Sequence, residues 1–319
     1  VLYLKNSGEN GSIETEIDVN KGGTLINGTA DDSRSAVSVF GVTADAAKRV
    51  EIYGGSYEGL TVNNGTSGIA LYGGSYELIN TNDLTDSTPV SALLAKGYAF
   101  ATLNSVTHLP ESIVDGSAVT LSEGIRKVTV VKHTHTYTET NTKCACGAVL
   151  YAKVTSADGT TNEYFDSIEE GLLYADKAEN KGCVFTLVTS GKIKDEVTLS
   201  SGQFTITANN YGTIDKNSGG RINIDGADVI AEGHMLINCG IDIYVNSGSL
   251  TLPEGSSTRF DTILILGGNV NISEGVNADN NAGADNLIIA NDATDAKVTI
   301  GGGTYSNINL GQFKLKDVI

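Results

Sequence analysis

Three short stretches of the chain repeat one pattern. Each has an alternating apolar strand, a glycine turn, a hydroxyl residue and a tyrosine, and they are Val50–Tyr57, Ile69–Tyr76 and Val298–Tyr305. The first two begin 19 residues apart. A strand-and-turn unit that recurs about every 20 residues is typical of a chain wound into stacked coils. We therefore expect an all-β fold of parallel β-helix modules, in which Tyr57 lies over Tyr76.

The composition fits such a fold and excludes several partners. The 319 residues include 38 glycines and only 3 prolines, and 40% of the residues are hydrophobic. Glycine, Asn and Asp tolerate the left-handed backbone that tight turns need, and the apolar content is sufficient for a core. A formal net charge of −17 repels phosphate backbones, so we expect no nucleic-acid partner. No run of 18 apolar residues occurs, so we expect no membrane insertion.

We predict three segments along the chain. Residues 1–131 form a first parallel β-helix module with a C-terminal cap, which includes a short helix at Ser91–Phe100 that ends at Gly97. Residues 132–149 form a His/Cys connector hairpin. Residues 150–319 form a second parallel β-helix module, whose N-terminal capping helix begins at the N-cap Asp166 and presents an apolar stripe at helical spacing.

The connector contains two histidines and two cysteines, each pair separated by one residue: His133, His135, Cys144 and Cys146. Residues two apart on a strand face the same side, so a hairpin between 132–136 and 143–147 brings all four side chains together. Two imidazoles and two thiolates suit a tetrahedral, structural Zn²⁺ that has no open position. Zinc-binding cysteines usually have at least two residues between them. A disulfide between the two cysteines, or side chains with no joint function, therefore remain alternatives.

Two further features could bind metal or form a disulfide. Cys183 and Cys239 each lie in an apolar strand pattern, which favours buried free thiols, although a disulfide between them stays open in an exported protein. The loop Asn277–Asn286 is rich in oxygen ligands but lacks the glycine and final glutamate of an EF-hand. A solvated loop is the simpler interpretation, and weak Ca²⁺ binding is the alternative.

Tyr53 and Tyr72 are candidate ligand-binding residues. They alternate with Ile52 and Leu71, which the pattern places inside, so we expect both tyrosines to point outward and to stack on adjacent coils. An exposed aromatic stripe of this kind could contact a glycan. The alternative is a ladder that only stabilises neighbouring coils, and the absence of tryptophan favours that alternative.

Several motifs together resemble modules of large cell-surface proteins from Gram-positive gut and oral bacteria. They are the GGSY and GGTY turns, the segment LLAKGYAF, the connector HTHTY followed by KCACGAV, and the opening DGTTNEYFDSIEEGLLYA. The resemblance implies right-handed, pectate-lyase-like parallel β-helix adhesin repeats. It implies a monomeric, extracellular, non-catalytic ectodomain that acts as an adhesin or rigid stalk and contacts a host glycan or host protein. Its export and anchoring signals would lie in parts of the parent protein outside this chain.

A polysaccharide-active enzyme, or its carbohydrate-binding accessory module, is the alternative function, because many parallel β-helix enzymes cleave polysaccharides with paired carboxylates. Arg221–Asn223 and Gly233–Met235 are similar to the Arg-Ile-Lys and Gly-His-Gly segments of polygalacturonases. Both differ from those segments in the last residue, and they occur in the reverse order. The carboxylate pair Asp31 and Asp32 lies in the other predicted module. We therefore expect no hydrolase or lyase site, and no convergence of these carboxylates with Arg221 and His234.

Overall fold

The computed structural model describes residues 2–5, 24–25, 37–40, 50–62, 68–81, 85–138, 141–209, 212–216, 219–232, 242–256, 262–273, 277–278, 287–290, 293, 295–302, 304–305 and 308–309. The contacts divide the chain into two compact units. The first contains Val1–Thr136 and Lys143–Ala148, and the second contains Tyr137–Thr142 and Val149–Ile319. Each unit has its own buried hydrophobic core. The segment predicted as a connector is therefore divided between the units.

The described strands of the first unit are β1 (Leu2–Lys5), β2 (Thr24–Leu25), β3 (Val37–Phe40), β4 (Val50–Ile52), β5 (Ser56–Tyr57), β6 (Leu60–Val62), β7 (Ile69–Leu71), β8 (Ser75–Thr81), β9 (Tyr98–Leu103), β10 (Pro110–Val114) and β11 (Ile125–Lys132).

The described elements of the second unit are β12 (Ala152–Thr155), β13 (Asn162–Phe165), α1 (Ile168–Ala175), β14 (Val184–Leu187), β15 (Gly191–Ile193), β16 (Glu196–Leu199), β17 (Gln203–Ala208), β18 (Ile214–Lys216), β19 (Arg221–Ala231), β20 (Asp242–Leu252), β21 (Thr262–Ile265), β22 (Asn269–Ile272), β23 (Asn277–Ala278), β24 (Leu287–Ile289), β25 (Lys297–Ile300), β26 (Thr304–Tyr305) and β27 (Ile308–Asn309).

The first unit contains the predicted coils. Strand β4 pairs in parallel with β7, β5 with β8, and β6 with β8, and every pair joins residues that are 19 positions apart. Apolar side chains of both coils point inward and are buried, among them Leu60, Leu71 and Ile79. The repeat in the sequence is therefore one turn of a parallel β-helix, as predicted.

The GGSY motif has a physical explanation at each position. Gly55 and Gly74 have φ angles of 100° and 99°, which L side chains rarely adopt. A Cβ atom on Gly73 would lie 2.2 Å from the carbonyl oxygen of Tyr53 on the coil below. The phenols of Tyr57 and Tyr76 then donate back to the carbonyl of the first glycine of their own turns, at 2.6 Å and 3.0 Å.

The segment of the first unit from β8 to β11 differs from the prediction. Strands β8, β11, β9 and β10 pair antiparallel in that order. The expected helix at Ser91–Phe100 is wrong, because Val90–Leu93 forms a single 3₁₀ turn and β9 begins at Tyr98. Val90 and Leu93 are both buried, and their spacing of three suits one 3₁₀ turn as well as an α-helix.

The helix at the start of the second unit is present, with a different cap. The N-cap residue of α1 is Ser167, whose side chain accepts a hydrogen bond from the backbone N–H of Glu170, and not Asp166. The predicted apolar stripe of Ile168, Leu172 and Ala175 is buried. In the described part of the chain, no helix is long and apolar enough to cross a membrane.

Parallel strands follow in the second unit, after β12 has paired antiparallel with β13 and β14. Register partners on successive coils are between 20 and 28 residues apart. One inward column is entirely apolar and buried: Phe204, Val229, Leu250, Val270 and Val298. Its outward neighbours, one position earlier on each strand, vary widely in chemistry: Gln203, Asp228, Ser249, Asn269 and Lys297.

Candidate metal centre

Three of the four predicted metal ligands converge in the first unit. The ligand atoms of His133, Cys144 and Cys146 all lie within 4.8 Å of one another. Nε2 of His133 and Sγ of Cys144 lie 3.0 Å apart. We call these three residues the His/Cys cluster.

The end of β11 positions His133. Lys132 is the last residue of that strand and pairs with Tyr98 on β9. The backbone N–H of His133 then donates to the carbonyl of Gly97 at 2.9 Å. The histidine is half-buried. It lies just after the end of β11, and this backbone hydrogen bond holds it there.

The two cysteines lie on a tight turn rather than on the second strand of a hairpin. The backbone N–H of Gly147 donates to the carbonyl of Cys144 at 2.9 Å, and the N–H of Cys144 donates to the carbonyl of Ala148 at 2.8 Å. Gly147 has a φ angle of 94°, and a Cβ atom there would lie 2.0 Å from Oδ1 of Asp115. Only glycine fits this position, and it turns the chain so that both thiols are buried.

A salt bridge attaches this turn to the loop that follows β10. Nζ of Lys143 donates to Oδ2 of Asp115 at 2.6 Å, and both Ser117 N–H and Ser117 Oγ donate to Oδ1. Partial burial acts to raise the pKa of Asp115, but the hydrogen bonds from Lys143 and Ser117 outweigh it, so this pKa lies below its usual range. Asp115 therefore stays ionised and continues to accept these bonds in mildly acidic solution.

The two thiols differ in acidity. Burial acts to raise the pKa of Cys144, but hydrogen bonds from the backbone of Cys146, from His133 and from the backbone of Thr136 lower it to about 6. Burial raises the pKa of Cys146, and the neighbouring Cys144 raises it further. Cys144 is thus the more acidic of the two buried thiols.

His135 lies beside the cluster and is not one of the three converging residues. Its ring centroid is 5.5 Å from that of His133, and the two planes are tilted by 52°. Both rings belong to a segment without regular secondary structure. The residues of the His/Cys cluster could hold a metal ion, with thiolate and imidazole donors that suit Zn²⁺.

The other predicted metal and disulfide sites are only partly described. Cys183 is a buried free thiol, whose Sγ donates to the carbonyl of Ala175 at 3.8 Å, as expected for a thiol packed in the core. Cys239 lies outside the described residues, as do the side chains of the polar loop at 277–286 that we considered for Ca²⁺.

A second candidate site is an aromatic patch on the outside of the first unit. Tyr53 and Tyr72 stack with their ring centroids 4.7 Å apart and their planes tilted by 13°, and Tyr98 meets Tyr72 edge-on at 5.6 Å. The prediction that both tyrosines point outward and stack is confirmed, with Tyr53 54% exposed. Oε2 of Glu51 accepts from the hydroxyl of Tyr53 at 2.6 Å and Oε1 accepts from that of Tyr72 at 3.2 Å. We call these four residues the tyrosine surface.

Sequence reasoning missed Glu51 and Tyr98. Glu51 lies two residues before Tyr53 on the same strand pattern, so strand alternation could have placed both on the outer face. Tyr98 lies in the segment Ser91–Phe100, where the pattern predicts a helix that ends at Gly97, and that prediction leaves no strand to begin at Tyr98.

Of the four residues that we expect not to converge, Arg221 lies in the described part of the chain. Arg221 pairs with Glu196 on the neighbouring coil, and its guanidinium lies 5.0 Å from the centre of the Tyr244 ring. Asp31, Asp32 and His234 lie outside the described residues, so their predicted failure to converge with Arg221 stays a prediction.

Comparisons of the chain with protein-family models, with curated proteins and with solved structures found no match.

Proposed function

We propose that this chain is a non-catalytic, extracellular segment of a bacterial cell-surface protein, and that it acts as an adhesin whose tyrosine surface contacts a host glycan. One observation carries the proposal: Tyr53 and Tyr72 stack on the outside of two adjacent coils, and their hydroxyls meet at the carboxylate of Glu51. The resemblance of the repeats to cell-surface modules supports the location.

Exposed aromatic rings suit the apolar faces of sugar rings. A large ring that stays exposed in a folded protein offers contact area, while its hydroxyl offers a hydrogen bond. Binding is strongest where such side chains are already ordered, because less conformational entropy is lost. Here stacking and the hydrogen bonds to Glu51 order Tyr53 and Tyr72 before any ligand arrives.

Buried stacking and strand pairing support the tyrosine surface. Tyr57 and Tyr76, four residues after Tyr53 and Tyr72, form a second stack. Their ring centroids are 5.0 Å apart, and both rings are buried. The parallel ladder between β4 and β7 fixes the spacing of the outer pair. A ligand therefore meets a surface with a fixed spacing between its rings.

Charge narrows the ligand class to neutral glycans. The chain carries a formal net charge of −17, and the carboxylate of Glu51 lies at the polar edge of the tyrosine surface. Both repel uronate and other acidic sugars. A sugar hydroxyl can donate to this carboxylate, so neutral hexoses and N-acetylhexosamines are the expected partners.

The proposal is tested by glycan and host-protein arrays with wild-type chain and with Tyr53→Ala. We expect the wild type to retain neutral glycans. Loss of a stacked ring worth about 1.4 kcal/mol corresponds to roughly tenfold weaker binding. Tyr53→Phe keeps the ring and should keep most of the affinity.

Tyr164→Ala is the matched control, because Tyr164 is another exposed tyrosine, at 39%, and lies in the second unit. It should bind as wild type does. Equal binding by Tyr53→Ala and wild type, or retention of proteins alone, would refute the glycan contact. Release of reducing sugars or unsaturated uronides from a polysaccharide would favour the enzymatic alternative.

A further inference from the structure

We propose that the first unit binds one Zn²⁺ through the His/Cys cluster, and that His135 turns its ring to become the fourth ligand. The site is then closed and structural. It fixes the turn at Lys143–Ala148 to the chain that leaves β11, independently of the tyrosine surface.

The distances require only a small adjustment. Zinc binds cysteine sulfur at about 2.3 Å and histidine nitrogen at about 2.0–2.1 Å, so ligand atoms around a tetrahedral ion lie roughly 3.3–3.8 Å apart. In the His/Cys cluster Nε2 of His133 and Sγ of Cys144 are 3.0 Å apart, and all three ligand atoms lie within 4.8 Å. The cluster therefore already has the size of a zinc site.

His135 lies two residues after His133 in the sequence His133-Thr134-His135. Two imidazoles on one zinc hold their ring centres about 5 Å apart, given the bond lengths above. The rings of His133 and His135 are 5.5 Å apart. The separation of the two rings is thus close to that of two imidazoles on one zinc, and the change that we propose is a rotation of the His135 ring.

The donor set selects the metal. Two sulfurs and two imidazole nitrogens favour Zn²⁺ over Ca²⁺ and Mg²⁺, which take oxygen ligands. The sulfurs are buried, at 4% exposure for Cys144 and 7% for Cys146. A buried thiolate is costly without a compensating charge, and a divalent ion supplies that charge to both sulfurs.

Closure of the chain is the expected effect. His133 and Cys144 are 11 positions apart, and the residues between Thr136 and Lys143 belong to the second unit. A metal bridge between these positions removes the entropy of an open loop from the unfolded chain.

Cobalt provides the direct test, because tetrahedral Co²⁺ with thiolate ligands gives strong d–d bands and sulfur-to-cobalt charge-transfer bands. The full chain is reduced, stripped with chelator and titrated with Co²⁺, followed by displacement with Zn²⁺. We expect saturation at about one ion per chain and complete displacement by zinc.

Variants assign the ligands. Cys144→Ser and Cys146→Ser should each weaken the charge-transfer band and lower the affinity by more than tenfold. His135→Ala should weaken the d–d bands, as water enters the fourth position, and lower the affinity by about tenfold or more. His108→Ala is the matched control, since His108 lies in the same unit away from the cluster, and should change neither spectrum nor affinity.

The proposal fails in three ways that the experiment separates. Absence of saturable binding by the reduced wild type, or binding that survives both serine substitutions, would remove the site. A cobalt spectrum identical in His135→Ala and wild type would show that His135 is not a ligand and that the closed site is wrong. Circular dichroism of each variant, and reversible stripping of the wild type, distinguish loss of ligands from loss of fold.

Discussion

At the scale of single residues, Asp176 shows how one buried charge can join distant parts of a coil. The residue is 6% exposed, and its carboxylate accepts from the backbone N–H groups of Ser200, Ser201 and Gly202 at 2.8, 3.2 and 2.8 Å. Its own carbonyl accepts from Ser201 Oγ at 2.7 Å. The residue that ends α1 thereby fixes the turn between β16 and β17.

Asp176→Ala is expected to lower the free energy of unfolding of the second unit by about 3 kcal/mol or more. Three backbone donors lose a charged acceptor, and each unsatisfied buried group costs about 1–3 kcal/mol. Urea unfolding followed by circular dichroism measures this change. Asp195→Ala, at an exposed position, should remain within about 0.5 kcal/mol of wild type. Equal loss in both variants would contradict the assigned contacts.

No local pattern could have predicted this contact. The residues that Asp176 binds are 24 to 26 positions away, whereas capping rules describe only contacts within the first and last turns of a helix. The His/Cys cluster was easier to predict from the sequence. His133 and Cys144 are only 11 positions apart, and residues two apart on a strand are expected to face the same side. The ring orientation of His135 depends on rotamer choice, which spacing does not determine.

At the scale of elements, the glycine turns were the most predictable part of the chain. Each GGSY motif has positions that only glycine fits, so the repeat in the sequence reports the repeat in the backbone directly. Strand β9 was harder, since the segment Ser91–Phe100, which overlaps it, also fits helical spacing. The Ser167 cap was missed because Asp166 is an equally good capping residue in sequence.

Tyr57 and Tyr76 should make the first unit sensitive to alkali. Burial raises the pKa of both phenols above the ordinary value of 10, and for Tyr76 its neighbour Tyr57 adds to the rise. Stability from these neutral phenols is therefore fully present below about pH 10 and is lost as the pH rises through the higher folded-state values, because the unfolded chain ionises first.

Tyr76→Phe tests this sign. At neutral pH the variant should lose about 1 kcal/mol, since the hydrogen bond to the carbonyl of Gly73 disappears. Above pH 10 its stability should fall less steeply than that of the wild type. Denaturant unfolding at a series of pH values, with phenolate absorbance as a second signal, makes the comparison. Parallel curves for the two proteins would show that burial of Tyr76 does not control the alkaline limit.

At the scale of the whole molecule, the division into two units determines which part of the chain a bound metal should stabilise. All four proposed ligands belong to the first unit. The sequence anticipated two β-helix modules and a junction rich in histidine and cysteine. The changes of unit at residues 137, 143 and 149 depend on contacts between residues distant in sequence, which no local pattern contains.

Zinc at about 100 times its dissociation constant should stabilise the first unit by about 2.7 kcal/mol. Amide hydrogen exchange measured by mass spectrometry should show slower exchange in β11 and the turn at Lys143–Ala148. Chelator should reverse the effect, while peptides from β17, β19 and β20 exchange at unchanged rates. A change confined to the second unit, or no change anywhere, would place the metal elsewhere or exclude it.

The two columns of the second unit have a consequence for how such a chain can vary. The inward column is apolar on every coil from Phe204 to Val298, while its outward neighbours run from Gln203 through Asp228 to Lys297. Positions that alternate in the sequence thus differ in what they tolerate, because an inward position must stay apolar to fill the core and an outward position need not. The outer face of this column can therefore be redesigned coil by coil, in charge and hydrogen-bonding groups, while the apolar stack behind it keeps the same residues.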